Sequence, residues 1–302
     1  MLRRWPLFLS LLLIQFAFAF SVGATTLWPK QAPARIISLS PHITETLFAV
    51  GAGEQVIAVT DYCDYPSAAI ALPKIGGFIN PNLEAIVALE ADLVILLASQ
   101  QQTIRQLNQL GIDTLAVNNR TLADIQSTID TVGHATGHRA AAQQLLKQMA
   151  DRIAFIRQTV AEQTPPRVMI AISHHLGDNA IDTVYIAGQQ DFYNDLLQIA
   201  GGENAYQRAY PKVPSLSLEG ILSLNPDVII DLFPDADDHS ASLSDIQSQW
   251  MALTSVNAIQ NHQAHLLEAD YATIPGPRVI LLLEQFARLI HPTLVWPEGR
   301  TP

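Results

Sequence analysis

Between residues 82 and 97 the apolar side chains first recur every three or four positions and then run together. Asn82-Leu-Glu-Ala-Ile-Val-Ala-Leu-Glu-Ala-Asp-Leu-Val-Ile95 puts Leu83, Ile86 and Leu89 on one face of a short helix, with Asn82 as its N-cap. The aliphatic run Leu93–Leu97 that follows reads as a buried strand. The pattern returns as Ser217-Leu-Glu-Gly-Ile-Leu-Ser-Leu-Asn-Pro-Asp-Val-Ile-Ile230, 135 positions later and identical at six of fourteen positions. Here Leu218, Ile221 and Leu224 form the apolar face, Ser217 the cap, and Val228–Ile230 the strand. A second echo precedes the first in both halves: Glu45-Thr-Leu-Phe-Ala-Val-Gly-Ala-Gly-Glu54 resembles Asn194-Asp-Leu-Leu-Gln-Ile-Ala-Gly-Gly-Glu203, an amphipathic helix stopped by glycines suited to a left-handed cap. Two similar α/β lobes in tandem follow from these repeats.

The same reading places the other elements. In the first lobe, residues 34–121, strands are expected at Arg35–Leu39, Val56–Thr60, Leu93–Leu97 and Thr114–Val117, with helices near Thr44–Val50 and at Gln101–Leu110. A linking segment, residues 122–164, holds an amphipathic helix Leu122–His134 and, after Gly137, a run from Arg139 to about Glu162 free of Gly and Pro. Good helix formers dominate that run, which spans about 36 Å as a helix, long enough to join two lobes. In the second lobe, residues 165–292, strands are expected at Arg167–Ile172, Thr183–Ala187, Val228–Ile230 and Ala264–Glu268, and helices at Phe192–Ala200 and Arg278–Ile290. Asp235–Ser244 reads as an acidic loop and residues 293–302 as a tail. Alternating strands and helices imply two Rossmann-like lobes with mainly parallel sheets, covered on both faces, and a ligand cleft between them.

The start of the chain changes the picture. Arg3 and Arg4, the apolar run Leu7–Phe20 and the small residues of Val22-Gly-Ala24 read as a cleavable export signal over residues 1–24, with Ala17-Phe-Ala19 as a second cut site. The run is short for a membrane span, and no cysteine follows it to carry a lipid. The single cysteine, Cys63, cannot form an internal disulfide, and a periplasmic monomer is expected. With 302 residues, 49% hydrophobic and 15% charged, the chain can fill two cores. Removing residues 1–24 takes two arginines and no acid, moving the formal charge from −11 to −13, so nucleic acid is excluded as a partner.

In open parallel sheets ligands sit beyond the carboxyl ends of the strands, a rule that selects the loops Ser40–His42, Asp61–Pro66, Phe78–Asn80, Ser173–Asp178, Tyr206–Pro214 and Ala269–Gly276. Their aromatics and prolines suit a large, flat, partly apolar ligand. The candidate contacts on lobe one are Pro41, His42, Tyr62, Phe78 and Asn80; those on lobe two are His174, Lys212, Asp270 and Tyr271. Isolated histidines among aromatics do not make an acid/base or nucleophilic set, so no enzyme is expected.

The order Arg-Ile-Ile-Ser-Leu-Ser-Pro (35–41), Thr-Asp-Tyr-Cys-Asp-Tyr-Pro (60–66), Gly-Gly-Phe-Ile-Asn-Pro-Asn-Leu-Glu (76–84), Ala-Gly-Gly-Glu-Asn (200–204) and Pro-Gly-Pro-Arg (275–278) resembles the helical-backbone periplasmic binding proteins of ABC importers for vitamin B12, haem and ferric siderophores, and within them the cobalamin-binding branch. The resemblance covers about residues 34–292. It implies two lobes bridged by a long helix, cobalamin as transported ligand rather than cofactor, and an inner-membrane permease and ATPase complex as partner. It assigns Tyr62 to packing on the corrin, Phe78 to the place of a tryptophan, and Asp270 to ligand amides. Val213 and Ile274 depart from it, replacing a stacking tryptophan and an arginine. It also makes Glu84 and Glu219 the acids that meet arginines of the permease. Their place in the first helical turn, where the helix dipole favours a carboxylate, accounts for them as well.

Charge separates the candidate ligands. A ferric tricatecholate carries about three negative charges and calls for several cations, and only Arg208, Lys212 and Arg278 offer them, which favours a near-neutral corrinoid. Haem is the alternative, with His42, His174 or Tyr62 as axial ligand. A zinc or manganese carrier built on His42, His174, His175 and Asp270 ranks behind both.

Overall fold

The computed structural model describes residues 32–176, 181–233 and 243–296. The export signal and most of the acidic loop and tail lie outside the described residues. Lobe one runs β1 (Ile36–Ser38), α1 (Pro41–Ala49), β2 (Val56–Val59), α2 (Ser67–Ile70), α3 (Leu83–Ala88), β3 (Leu93–Leu97), α4 (Gln101–Gln109) and β4 (Thr114–Val117). Its four strands pair in the order β2-β1-β3-β4, all parallel. Then come α5 (Leu122–Ala135) and α6 (Arg139–Val160). Lobe two holds β5 (Arg167–Leu176), β6 (Ile181–Ile186), α7 (Phe192–Ile199), β7 (Glu203–Asn204), β8 (Ser215–Ser217), α8 (Leu218–Leu224), β9 (Val228–Phe233), α9 (Leu243–Met251), α10 (Asn257–Gln260), β10 (Ala264–Glu268) and α11 (Val279–Ile290). Its sheet runs β10-β9-β5-β6-β8, with β7 beside β5.

The internal repeat carries the same pattern of caps and clasps in both lobes. Asn82 and Ser217 cap α3 and α8 by accepting the backbone N–H of Ala85 and Gly220. Each helix then passes through one left-handed residue, Glu90 (φ 48°) or Asn225 (φ 43°). An arginine at the head of the first strand of each lobe clasps the freed carbonyls. Arg35 donates to Leu89 O (2.7 Å) and Glu90 O (3.1 Å), and Arg167 donates to Leu224 O (2.9 Å) and Asn225 O (3.1 Å). The closing aspartates return the contact: Asp92 Oδ2 accepts Arg35 N–H and Asp227 Oδ2 accepts Arg167 N–H. The last-turn carbonyls that a helix leaves unpaired are thereby satisfied by the same residue types in both lobes.

Three local departures bear on the site. Helix α1 begins at Pro41 rather than Thr44, because proline is pre-set for the first helical position, so Pro41 and His42 ride on its first turn. Strand β5 continues through Ser173-His174-His175 to Leu176, because β6 pairs antiparallel with it from Ile181 to Ile186. A polar stretch that reads as a loop is thus a strand, and two antiparallel pairings, β5 with β6 and β6 with β8, enter an otherwise parallel sheet. The short helices α2, α9 and α10 were not anticipated.

The 22 residues of α6 rise about 33 Å and carry Ala142, Met149, Ile153, Ile156 and Val160 on the buried side. One continuous core joins Ile36, Ile95 and Ile129 to Val168, Leu196 and Leu283 through this helix. Polar links cross the same ground: Asp195 of α7 accepts Leu122 N–H at the start of α5 (2.8 Å), and Arg152 of α6 pairs with Glu284 of α11 (3.0 Å). Lobes that share a core and such ties hold a fixed geometry better than lobes joined by a loop.

Candidate functional site

A cavity of about 530 Å³ opens where the carboxyl ends of the lobe-one strands face the late loop of lobe two. Lobe one supplies Ser40, Pro41, His42, Tyr62, Gly77, Phe78, Ile79, Asn80, Leu97 and Asn119; lobe two supplies Thr273, Ile274 and Pro275. None of these side chains is a permanent charge. Tyr62 and Ile79 stand 68% and 79% exposed at its mouth, large apolar groups that a folded chain ordinarily covers.

Each wall is held from behind. The strand end of β2 turns at Thr60, whose hydroxyl contacts Cys63 Sγ at 3.0 Å, and Thr44 donates to the same sulfur at 3.2 Å. Cys63 is fully buried, so it pins the loop that presents Tyr62. Lys74 Nζ donates to Cys63 O (2.9 Å), locking the far side. The Phe78 loop is pinched at its base: Gly76, at φ +88°, bridges Pro81, and Asn82 N–H donates to Ile75 O. Gln100 completes the clamp, donating to Phe78 O (2.8 Å) while accepting Leu97 N–H (2.9 Å).

His42 is the one ring nitrogen base among the described lining residues. It is 3% exposed, its Nδ1 lies 2.7 Å from Ser40 Oγ, and its Nε2 is buried with no hydrogen-bond partner among the described residues. Burial lowers its pKa to about 4, so the imidazole is neutral at physiological pH.

Of the residues singled out from the sequence, the cavity brings together Pro41, His42, Tyr62, Phe78 and Asn80. Four others lie outside its lining. His174 sits on β5 with Nδ1 3.6 Å from Asp231 Oδ1, in the interior of lobe two, where Asp231 also accepts the Trp250 indole N–H (2.7 Å). Burial pushes Asp231 up to about 7, with the Trp250 hydrogen bond opposing. Asp270 pairs with Arg278 (2.7 Å), and Tyr271 packs beneath the same guanidinium, 5.4 Å from its ring centre. Lys212 lies in the loop before β8; its carbonyl accepts Gly188 N–H (2.8 Å) so closely that a Cβ on Gly188 would collide with it. His42, His174 and Asp270 therefore have separate neighbours rather than a common centre. The side chain of His175 lies outside the described residues. Thr273, Ile274 and Pro275 lie in the loop Ala269–Gly276 that the sequence selects, whereas Gly77, Leu97 and Asn119 fall outside the selected loops; Leu97 and Asn119 sit at the carboxyl ends of β3 and β4, where the strand-end rule points.

Glu84 and Glu219 occupy the first turns of α3 and α8, both exposed. Ser217 Oγ donates to Glu219 (2.8 Å), which lowers that carboxyl's pKa.

The profile of the periplasmic binding protein family matches residues 36–271. The chain is 29% identical over 272 residues to the vitamin B12-binding protein of Vibrio cholerae serotype O1, covering 89% of this chain and 94% of that one. It is 29% identical over 271 residues to an uncharacterized ABC transporter substrate-binding lipoprotein, YvrC, of Bacillus subtilis, covering 87% and 82%. Among solved structures it is similar to the periplasmic vitamin B12-binding protein BtuF of Vibrio cholerae (TM-score 0.71, 27% identity, 85% and 96% coverage). It is also similar to the periplasmic haem-binding protein RhuT of Roseiflexus sp. RS-1 (TM-score 0.71, 25% identity, 85% and 99% coverage).

Proposed function

The chain belongs to the periplasmic binding protein family, and from that premise we propose that it captures a corrinoid such as cobalamin and delivers it to an inner-membrane ABC importer. The protein acts as a monomer in the periplasm after loss of residues 1–24, and the corrinoid is cargo rather than cofactor. The observation that carries the reading is the cavity lining: aromatic, aliphatic and neutral polar groups with no permanent charge. A corrin edged with amides finds apolar faces in Tyr62 and Phe78 and amide partners in Asn80 and Asn119. A tricatecholate, or the propionates of haem, would meet no cation among the described lining residues. Arg278, one of the candidate cations from the sequence, spends its guanidinium on Glu45 and Asp270. His174, Lys212, Asp270 and Tyr271 remain proposed contacts of the wider cleft.

Haem is the second reading, favoured by one observation: the neutral, unpartnered Nε2 of His42 beside the cavity has the chemistry of an axial ligand. Calorimetry and absorption spectra with cyanocobalamin and with haemin separate the two. One-to-one binding of cyanocobalamin supports the first reading. Haemin binding with a Soret band that His42→Ala displaces, and no heat with cobalamin, supports the second.

Delivery is proposed to use Glu84 and Glu219, one exposed acid per lobe, against cationic side chains of the permease. The repeat supports it, because it gives both lobes the same acid on the same helical turn.

A further inference from the structure

The repeat duplicates more than an acid. One turn after Glu84 and Glu219 stand Val87 and Leu222, at matching repeat positions and on the same outer face of α3 and α8. Val87 is 44% exposed and Leu222 41%, whereas the residues just before them, Ile86 and Ile221, are fully buried. Each short helix has an inner face to satisfy its lobe, yet each also presents a large aliphatic group to solvent beside its acid. Both helices are rooted alike, through the Arg35 and Arg167 clasps and the returning Asp92 and Asp227. Strand register also places them alike. Asn82 N–H bonds Ile75 O at the carboxyl end of β2, and Ser217 lies level with Thr183 and His175 near the carboxyl end of β5. Both helices therefore start on the cleft side of their sheets.

Resting on the docking reading above, we propose that Val87 and Leu222 are a matched pair of apolar contact residues for the importer permease. The surface they recognise has two related halves, each offering a cation beside an apolar recess. The acid steers and orients, and the aliphatic group, once desolvated in its recess, supplies the larger share of the affinity. A second copy of this chain is disfavoured as the occupant, because a two-fold contact through these faces would set acid against acid.

The test uses the full exported chain and the purified permease–ATPase complex of the same bacterium in lipid nanodiscs, with binding followed by interferometry. Val87→Asp and Leu222→Asp should each weaken binding on the order of tenfold, and the pair by more than either alone. Both sites are exposed, so melting temperature should stay near that of the parent chain. Glu84→Lys/Glu219→Lys is measured alongside. If that charge reversal weakens binding and the double aspartate variant does not, the apolar contact is wrong and docking through the acids stands. Parent-like binding by both double variants overturns docking through these helices altogether. Loss at only one of the two aliphatic positions overturns the matched pair. Self-association of the parent chain by ultracentrifugation, abolished in the double aspartate variant, assigns the patch to a second copy and overturns the permease as occupant.

Discussion

Arg278 Nε and Nη2 lie 3.0 and 2.7 Å from the two carboxylate oxygens of Glu45, a forked ion pair that joins the head of α11 in lobe two to α1 in lobe one. The remaining guanidinium nitrogen, Nη1, reaches Asp270 Oδ2 at 2.7 Å, and the Tyr65 ring lies 3.8 Å beneath the Arg278 Cζ. The carboxylate is buried and the arginine nearly so. Burial raises the Glu45 carboxyl above its ordinary range, and the guanidinium opposes that shift. The pair ties the lobes beside the cavity, with the Pro275–Gly276 turn held against His42 and Glu45.

Breaking that pair leaves the largely buried Arg278 guanidinium with the exposed Asp270 carboxylate in place of a buried, forked partner. Glu45→Gln should therefore destabilise the protein by about 3–5 kcal/mol, read as a fall in the chemical-denaturation midpoint. Arg278→Lys should recover little of the loss caused by Arg278→Met, because an ammonium cannot serve the fork and the tyrosine face together. A parent-like midpoint for Glu45→Gln would show that this ion pair is not what holds the lobes together.

Tyr62 is exposed at the cavity, so its ring contributes little to folding, whereas Phe78 is partly buried there. Tyr62→Ala should cost about 1–3 kcal/mol of cyanocobalamin affinity, roughly 10- to 100-fold, with unchanged melting temperature. Unchanged affinity in Tyr62→Ala/Phe78→Ala, measured by calorimetry, would remove the aromatic walls from the binding site.

Glu84→Lys/Glu219→Lys should leave cyanocobalamin affinity and melting temperature nearly unchanged, since a first-turn acid on an exposed helix is worth only about 0.3–1 kcal/mol. Uptake into vesicles carrying the reconstituted importer should fall sharply, and each single reversal should do less. Normal uptake by the double variant would reduce these acids to helix-dipole partners.

Asp231 supplies a pH test in lobe two. Its folded pKa, raised by burial to about 7, exceeds the usual carboxylate value, so the native state holds a proton that the unfolded state has released. Its contribution to stability is complete below the unfolded pKa and is lost as pH rises through about 7. Between pH 5 and pH 7 the loss amounts to about 2 kcal/mol. Asp231→Asn, which can still accept the Trp250 N–H, should flatten that part of the stability profile. A parent-like slope in the variant would mean that Asp231 ionises near the unfolded value.

Periodicity alone determined the larger architecture. The spacing of Leu83, Ile86 and Leu89, repeated at Leu218, Ile221 and Leu224, requires an inner helical face in each half, and the Gly- and Pro-free run after Arg139 requires a long helix. These are local consequences of side-chain period and backbone propensity, and they hold whatever the lobes do next. That Tyr62, Phe78 and Asn80 line a cavity was legible because cavities in parallel sheets open beyond the strand ends. Tertiary structure decided the rest. Ser173-His174-His175 is polar enough to read as a loop, and only pairing with β6 makes it a strand and turns His174 toward Asp231. Arg278 looked like a cation for the ligand until Glu45, 233 positions away in sequence, claimed it. The clasp of Arg35 on α3 and of Arg167 on α8 likewise joins residues more than fifty positions apart. Hydrogen-bond and charge partners at such separations leave no periodic trace in a chain, so their choice belongs to the fold.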